Sequence, residues 1–324
     1  MTNQVFPKDN FNPTTYKDQI VAIIDQIDSL DKFTEKKFLS ILKKYPKAKQ
    51  GFFSKSDLIS GFKHFSPERT WSHDLDSFAT LLKKKPIRTQ SGVTPVTVLT
   101  KPFPCPGKCI FCPNDIRMPK SYLSDEPGAQ RATRNNFDPY LQTYNRIKAF
   151  AQNGHNIDKI ELIILGGTWS FYPEPYQLWF ITRCLQAMND YGAKIDGRNQ
   201  VKKASDFLDT DKKLDIDGTN ITSTYNHIVS KKLVTDIGGK MLNSWETATW
   251  EELEAAQKAN ELSNCRNVGL VIETRPDHIS KTEVIRIRRL GCTKAQIGYQ
   301  SLSDKVLDLN KRGHDVAATR RAMK

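Results

Sequence analysis

The chain has 324 residues, with 49 Lys or Arg against 36 Asp or Glu and a formal net charge of +13. No stretch approaches the roughly 20 apolar residues that cross a bilayer, so the sequence predicts a cytoplasmic, mixed α/β protein with no membrane partner. Its six cysteines are sparse and follow no apolar signal peptide, which argues against a disulfide-stabilised secreted protein. The excess of positive charge favours a polyanionic partner such as a nucleic acid.

Residues 1–85 predict a small, basic, helical region. Apolar residues recur at helical spacing over residues 16–45, and Ser56 to Phe65 begins like a short capped helix with Asp57 behind the Ser. Two groups of basic residues follow helix-like segments here, and they are either phosphate contacts or an ordinary solvated surface. The two groups are Lys43, Lys44, Lys47 and Lys49, and Lys83, Lys84, Lys85 and Arg88.

Residues 86–324 alternate between predicted strands and predicted helices. Short β-branched or apolar runs predict the strands, and longer amphipathic stretches predict the helices. This alternation predicts an α/β fold whose sheet is parallel, with right-handed crossovers. The predicted strands are Val93–Thr100, Ile160–Leu165 (a fully buried strand), Val268–Glu273 and Ala295–Tyr299, and the predicted helices are Pro139–Asn153, Tyr176–Met188, Thr247–Ser263, Thr282–Leu290 and one that begins at Asp315.

Three of the six cysteines lie within eight residues at CxxxCxxC spacing. Three thiolates on one loop can hold three irons of a [4Fe-4S] cube, which leaves the fourth iron open to bind a small molecule. A zinc site is the alternative, although structural zinc takes four ligands and no second Cys/His pair follows. The clustered cysteines are Cys105, Cys109 and Cys112, and the isolated ones are Cys184, Cys265 and Cys292.

Polar or glycine residues follow each of the four predicted strands. The cysteine loop follows the first, Gly166 and Gly167 the second, Glu273 and Arg275 the third, and Gln300 the fourth. Taken singly, a glycine pair after a strand is more often just a tight turn, and a Glu or Arg at a strand end is more often part of a surface ion pair. The carboxyl ends of parallel strands meet at one edge of the sheet, so together these residues predict one pocket.

The cysteine loop, with Phe111 before its third cysteine, resembles that of the radical S-adenosylmethionine superfamily. Further stretches are similar to the catalytic subunit of Elongator, in the same order over about residues 80–320. These stretches are residues 85–93 (KPIRTQSGV), 100–109 (TKPFPCPGKC), 137–143 (FDPYLQT), 272–277 (IETRPD) and 310–314 (NKRGH).

The resemblance implies a partial (β/α)6-type radical barrel, with the three clustered cysteines holding a [4Fe-4S] cluster. S-adenosyl-L-methionine would chelate the open iron, and Gly166 and Gly167 would receive its methionine amino group because backbone there approaches closely. Glu273, Arg275 and Gln300 match positions that line the cofactor or substrate pocket in the family. An electron donor for the cluster is implied as a partner.

The implied reaction is the formation of 5-carboxymethyluridine at the wobble position, U34, of tRNA. Acetyl-CoA would be the carbon donor and a 5'-deoxyadenosyl radical the reactive species, with the target base held out of its stack. Lys159 matches a lysine that contacts acetyl-CoA in the family, and a plain lysine at the start of a strand is the alternative. The basic region of residues 1–85 would contact tRNA phosphates.

The sequence departs from the family pattern in two places. The family adds a carboxyl-terminal acetyltransferase domain, and this chain ends at Lys324 with four of six expected strands, so we expect a fragment or a chain completed by a separate domain or partner. A polar segment at about residues 195–245 is expected on the surface, with tRNA contact as the alternative, and to carry short secondary structure that includes Tyr225–Leu233. Asn114 and Asp115 stand after Pro113, where the family often has two glycines.

Two other functions remain open. Another radical enzyme that modifies RNA, such as a methylthiolating one, shares the cysteine loop but normally needs further cluster-binding cysteines. A catalytically incomplete fragment that binds tRNA or assists assembly is the second. Formation of 5'-deoxyadenosine separates the enzymes from the binding module.

Overall fold

The computed structural model describes residues 11–47, 51–83, 85–201, 225–231 and 242–324. Lys49 and Lys84 of the predicted basic groups lie outside the described residues, as does much of the predicted polar segment. The chain divides into two compact units, the first comprising Met1–Thr94 and Lys148–Ile157 and the second comprising Pro95–Ile147 and Asp158–Lys324. The predicted domain limits, residues 1–85 and 86–324, stay a prediction.

Between residues 11 and 83, the described part of the first unit forms four α-helices around an apolar core. The helical spacing over residues 16–45 corresponds to two of these helices. The break comes at residues 29–34, where Thr34 accepts a hydrogen bond from the Lys37 backbone N–H and caps the second helix. Leu30, within the break, still packs partly buried against the core. The four helices are α1 (Lys17–Asp28), α2 (Glu35–Lys44), α3 (Lys55–Phe65) and α4 (Leu75–Leu82).

The cap of α3 differs from the predicted one. Ser54, and not Ser56, accepts the hydrogen bond from the Asp57 N–H, and the Asp57 carboxylate accepts one from the Ser54 N–H. This reciprocal capping box satisfies two backbone donors at the start of the helix. Asp57 was correctly predicted as part of the helix cap, but the serine that pairs with it lies three residues before it.

Where the structure describes it, the second unit is built on a four-stranded sheet in the order β1-β2-β3-β4. The pairs β2/β3 and β3/β4 are parallel, as predicted, with an irregularity between Ile160 and Glu161. Ile160, Leu162 and Ile164 are buried on one face of β2, whereas Ile163 on the other face is partly exposed, so the prediction of a fully buried strand is wrong for that face. The strands are β1 (Thr94–Leu99), β2 (Lys159–Leu165), β3 (Arg266–Thr274) and β4 (Lys294–Ile297).

Helices connect these strands, which confirms the mixed α/β class. The long helix α7 packs against α9, and both pack against β3. No helix among the described residues is long and apolar enough to cross a membrane. The helices from α5 onward are α5 (Pro127–Arg134), α6 (Pro139–Gln152), α7 (Glu174–Gly192), α8 (residues 225–231), α9 (Trp250–Glu261), α10 (Lys281–Arg289), α11 (Asp304–Leu309) and α12 (Val316–Ala322).

The closed barrel stays a prediction. Across the described residues, β1 and β4 are the outer strands of the sheet. Lys294, Ala295 and Gln296 of β4 are exposed, so this edge of the sheet is mainly polar. The carboxyl ends of the strands position the residues of the candidate site.

Candidate metal centre

A cavity of about 270 Å³ lies at the carboxyl edge of the sheet, within the second unit. Each strand contributes to its wall through residues at its carboxyl end or just after it, as expected for a parallel sheet. The predicted site residues that line it are Cys105, Cys109, Cys112, Gly166, Gly167, Glu273, Arg275 and Gln300, and Lys120, Ser121 and Arg312 line it as well.

The thiols of the cysteine loop sit in unequal surroundings. A hydrogen bond with Cys112 and the nearby Arg312 lower the pKa of Cys109 to about 5, although burial acts in the opposite direction. The same hydrogen bond, together with burial, raises the pKa of Cys112, whose Sγ lies 3.3 Å from the Ser121 Oγ. The Cys109 thiolate, which is the metal-binding form, is therefore favoured at neutral pH.

Buried cations face these thiols. Arg312 donates from Nη1 to the Cys109 Sγ at 3.2 Å and is only 7% exposed. Lys120 is 2% exposed; burial lowers its pKa, and the three clustered cysteines oppose that shift. Arg275 also approaches Cys109, but Asp277 already holds it with hydrogen bonds of 2.7 and 2.9 Å.

The buried positive charges of Arg312 and Lys120 favour the binding of an anion in the cavity. Among the residues that the structure describes, neither makes a salt bridge with a carboxylate. A buried charge without a counter-charge is strongly unfavourable. Thiolates on this loop, or an anionic group bound to them, would supply that counter-charge.

Two glycines bring backbone close to polar groups around the cavity. A Cβ on Gly107 would overlap the Arg275 guanidinium, and one on Gly166 would overlap the Thr100 hydroxyl. The Gly167 N–H donates to the Tyr172 hydroxyl at 3.3 Å, and that hydroxyl lies 2.7 Å from Thr100 Oγ1. The glycine turn is thus held against the end of β1, with its backbone open to the cavity.

A single metal ion and a cluster make different demands on the thiols. No group of three His, Cys, Asp or Glu side chains within the described ranges converges to hold one metal ion. In an iron-sulfur cube each thiolate binds a different iron, so convergence on one point is not required. Three thiols beside buried cations fit the electrostatics of an anionic, thiolate-ligated cluster.

The remaining wall contains a partly buried carboxyl group, that of Glu273. Tyr122 donates from its hydroxyl to Glu273 Oε2 at 2.9 Å, and burial raises the pKa of Glu273. Gln300, on the exposed side of the cavity, has a left-handed backbone with φ of 67°. Both side chains are available to a polar ligand at the mouth of the cavity.

Lys159 is the one predicted site residue that the structure keeps apart from this cavity. It is the first residue of β2, it is exposed, and its Nζ lies 3.4 Å from the Asp158 carboxylate. Gly166 follows the other end of the same strand, about 20 Å away at the usual rise per strand residue. The contact of Lys159 with acetyl-CoA stays a prediction.

Sequence reasoning missed several residues of the site. Arg312 lies inside the 310–314 stretch, so the resemblance marked its position but not its role. Lys120 and Tyr122 follow the cysteine loop without any pattern that singles them out. Asn226 lies in the polar segment, yet it hydrogen-bonds the Cys105 peptide.

The fold and the cavity define a mixed α/β protein that gathers three thiols and buried cations at the carboxyl edge of a sheet. A tRNA uridine(34) acetyltransferase of Methanocaldococcus infernus is 38% identical over 248 residues, which cover 75% of this chain and 36% of that protein. Elongator complex protein 3 of Danio rerio is 31% identical, over 73% of this chain and 35% of that protein. The chain belongs to the family of tRNA uridine(34) acetyltransferases and Elongator complex protein 3.

The extent of these matches is limited, since the chain spans about a third of the length of the relatives it matches. A solved structure described as archaeal Methanocaldococcus infernus Elp3 with an N-terminus deletion matches 71% of this chain and 34% of that chain. It has 31% sequence identity and a TM-score of 0.42. No family model matches the chain. The family assignment rests on the sequence relatives.

Proposed function

We propose that this chain carries the radical S-adenosylmethionine part of tRNA wobble uridine modification. The names of its relatives, tRNA uridine(34) acetyltransferase and Elongator complex protein 3, support the substrate class. The observation that carries the proposal is the placement of the three clustered thiols beside buried cations in one cavity at the strand ends. We infer that the four-stranded sheet is the described part of a (β/α)6 barrel.

In this proposal Cys105, Cys109 and Cys112 hold a [4Fe-4S] cluster, and Arg312 and Lys120 face its negative charge. The low pKa of Cys109 supports this role because a ligating thiol must lose its proton. The three-cysteine loop leaves one iron without a protein thiolate, which favours cofactor binding over simple electron transfer. The family's use of this loop points to the same role.

The glycine turn and the polar wall would bind S-adenosyl-L-methionine. Gly166 and Gly167 line the cavity and carry no side chain, so a methionine amino group can approach the backbone closely. Glu273, Arg275 and Gln300 offer polar contacts on the other walls. When both groups are bound and an electron donor reduces the cluster, they supply a 5'-deoxyadenosyl radical.

The overall reaction we propose is carboxymethylation of uridine 34, with acetyl-CoA as the carbon donor. The protein's own task is to hold acetyl-CoA and the flipped base at the cavity mouth and to keep water away from the reacting carbon. The same proposal includes Lys159 as an acetyl-CoA contact and a separate acetyltransferase domain. It also includes contacts between tRNA phosphates and exposed basic side chains of the first unit. Phosphate contacts position the RNA without reading its sequence.

Replacing each clustered cysteine with Ala tests the cluster. After oxygen-free reconstitution of the full chain, we expect wild type to be brown and to retain iron, and each variant to lose most of both because a ligand is missing. Cys292→Ala is the matched control, since Cys292 is buried outside the cavity. Full iron retention in all three variants, or zinc in place of iron in the wild type, would refute the site.

The reaction class has its own test. With a reductant and S-adenosyl-L-methionine, we expect the reconstituted chain to form 5'-deoxyadenosine, measured by liquid chromatography, and Cys109→Ala to form none. Supply of tRNA and acetyl-CoA, with mass spectrometry of the nucleosides, then tests the proposed product. A cluster-loaded chain that binds tRNA but never cleaves the cofactor would instead support a binding module.

A further inference from the structure

The polar segment at residues 195–245 reaches the cysteine loop through an asparagine. The Asn226 side-chain oxygen accepts a hydrogen bond from the Cys105 N–H at 2.9 Å, and its nitrogen donates one to the Cys105 carbonyl at 2.9 Å. The backbone N–H and C=O of Cys105 are therefore both hydrogen-bonded by one side chain that lies 121 residues away in the sequence. The expectation of a surface segment is wrong for these described residues.

The preceding residue anchors the other side of the same loop. Tyr225 is fully buried, and its hydroxyl donates to the Met118 carbonyl at 2.8 Å. Its ring faces the Lys120 ammonium, whose Nζ lies 4.8 Å from the ring centroid. Two successive residues of α8 thus contact this loop on both sides: Asn226 at the first cysteine, Cys105, and Tyr225 after the last, Cys112.

The local sequence explains why the loop needs such support. Pro104 and Pro106 flank Cys105, and neither has a backbone N–H to donate. Residues 101–105 form neither helix nor strand, so regular backbone pairing does not hold the Cys105 peptide. The side-chain amide of Asn226 carries an acceptor and a donor on two separate atoms, which match the backbone N–H and C=O of Cys105.

We propose that Asn226 is a positioning residue for the cysteine loop, which fixes the Cys105 peptide so that its thiol points into the cavity. This proposal rests on the proposed cluster for its functional consequence. Groups that orient a metal ligand commonly matter nearly as much as the ligand itself. Tyr225 supports the same geometry by holding the segment from Met118 to Lys120.

The test is iron retention in the full chain. After oxygen-free reconstitution and transfer to a chelator, we expect Asn226→Ala to lose iron about tenfold faster than wild type, because loss of a group that orients a metal ligand typically weakens metal binding by about tenfold or more. Asn226→Asp is nearly isosteric and keeps the acceptor for the Cys105 N–H, so we expect a smaller acceleration. The electron paramagnetic resonance spectrum of the reduced variants should also change, because the cysteine is reoriented.

His227→Ala is the matched control, since His227 is the exposed neighbour on the same helical turn. We expect it to lose iron at the wild-type rate, with circular dichroism showing that every metal-free variant is folded. Wild-type iron loss and an unchanged resonance spectrum in Asn226→Ala would overturn the proposal, as would equal acceleration in His227→Ala. If Asn226→Ala does not fold, wild-type behaviour of Asn226→Asp overturns it instead.

A metal-free measurement separates this inference from the cluster itself. If the wild type binds no cluster, the proposed function fails, but the loop contact is still tested by alkylation of Cys105 and mass spectrometry. Release of the Cys105 peptide should make this partly exposed thiol react faster in Asn226→Ala than in wild type or His227→Ala. Equal alkylation rates would then overturn the positioning role.

Discussion

Gly166 and Gly167 are neighbours at the end of β2, but a side chain would meet very different surroundings at each. At Gly166 a Cβ would overlap the Thr100 hydroxyl, which is buried and hydrogen-bonded to Tyr172. At Gly167 the nearest atom to a Cβ would be the Tyr172 hydroxyl at 3.5 Å, an ordinary contact distance. The first position requires glycine for packing, whereas the second leaves room for a methyl group.

We therefore expect Gly166→Ala to lower the free energy of unfolding by about 1 to 3 kcal/mol, as overpacking a tight site does. Gly167→Ala should change it by no more than about 0.5 kcal/mol. Urea unfolding of both metal-free variants, followed by circular dichroism, checks this difference. Equal stability of the two variants would show that Thr100 moves aside at little cost.

At the scale of elements, an ion pair joins the end of β1 to the chain just before α9. Lys101 and Glu246 form a salt bridge and are 7% and 5% exposed. Burial lowers the pKa of Lys101, and the Glu246 carboxylate opposes that shift. Glu246 also accepts from the Asn243 N–H at 2.8 Å. With the Asn226 contact, this pair ties the described end of the polar segment to the strand that leads into the cysteine loop.

Breaking one side of this pair leaves the other side buried and without its partner. We expect Lys101→Met and Glu246→Gln each to lower the free energy of unfolding by about 3 kcal/mol or more. The double variant should lower it by clearly less than the sum of the two single effects. Urea unfolding of the two single variants and the double variant gives the coupling energy. Additive costs would mean that the two side chains stabilise the fold independently.

At the scale of the whole molecule, the net charge of +13 is not spread over equivalent lysines. Lys47, in the first basic group, pairs with Asp57 at 3.0 Å and lies 4.5 Å from the Phe11 ring centroid. The positive charge of Lys47 is therefore already paired with a carboxylate of the first unit. Lys85 and Arg88, in the second group, are exposed and are better placed to meet a phosphate backbone.

Neutralising Lys85 and Arg88 together with Ala should weaken tRNA binding. We expect the slope of log K against log salt concentration to become shallower by about 1 to 2, because fewer counterions are released. Lys36→Ala with Lys37→Ala is the control, since both lysines are exposed on α2 and the net charge changes equally. Equal slopes for the two double variants would assign the effect to net charge rather than to a defined contact.

The local sequence determined the elements and the chemistry of the cysteine loop. The CxxxCxxC spacing places three thiols on one short loop in any fold, and the alternation of strands with helices predicted the parallel pairing of β2, β3 and β4. These features depend on residues close together in the chain, so a pattern can reveal them. The position of the α3 cap and the break after α1 were missed because several serines and turns fit the same local pattern.

Only the tertiary structure decided which distant side chains complete the site. Arg312 reaches Cys109 across 203 residues, and Asn226 reaches Cys105 across 121. Lys159, which the sequence predicted as a site residue, falls at the opposite end of its strand from the cavity. Contacts of this kind follow from the order of strands in the sheet and the packing of the segments between them, which short-range spacing does not encode.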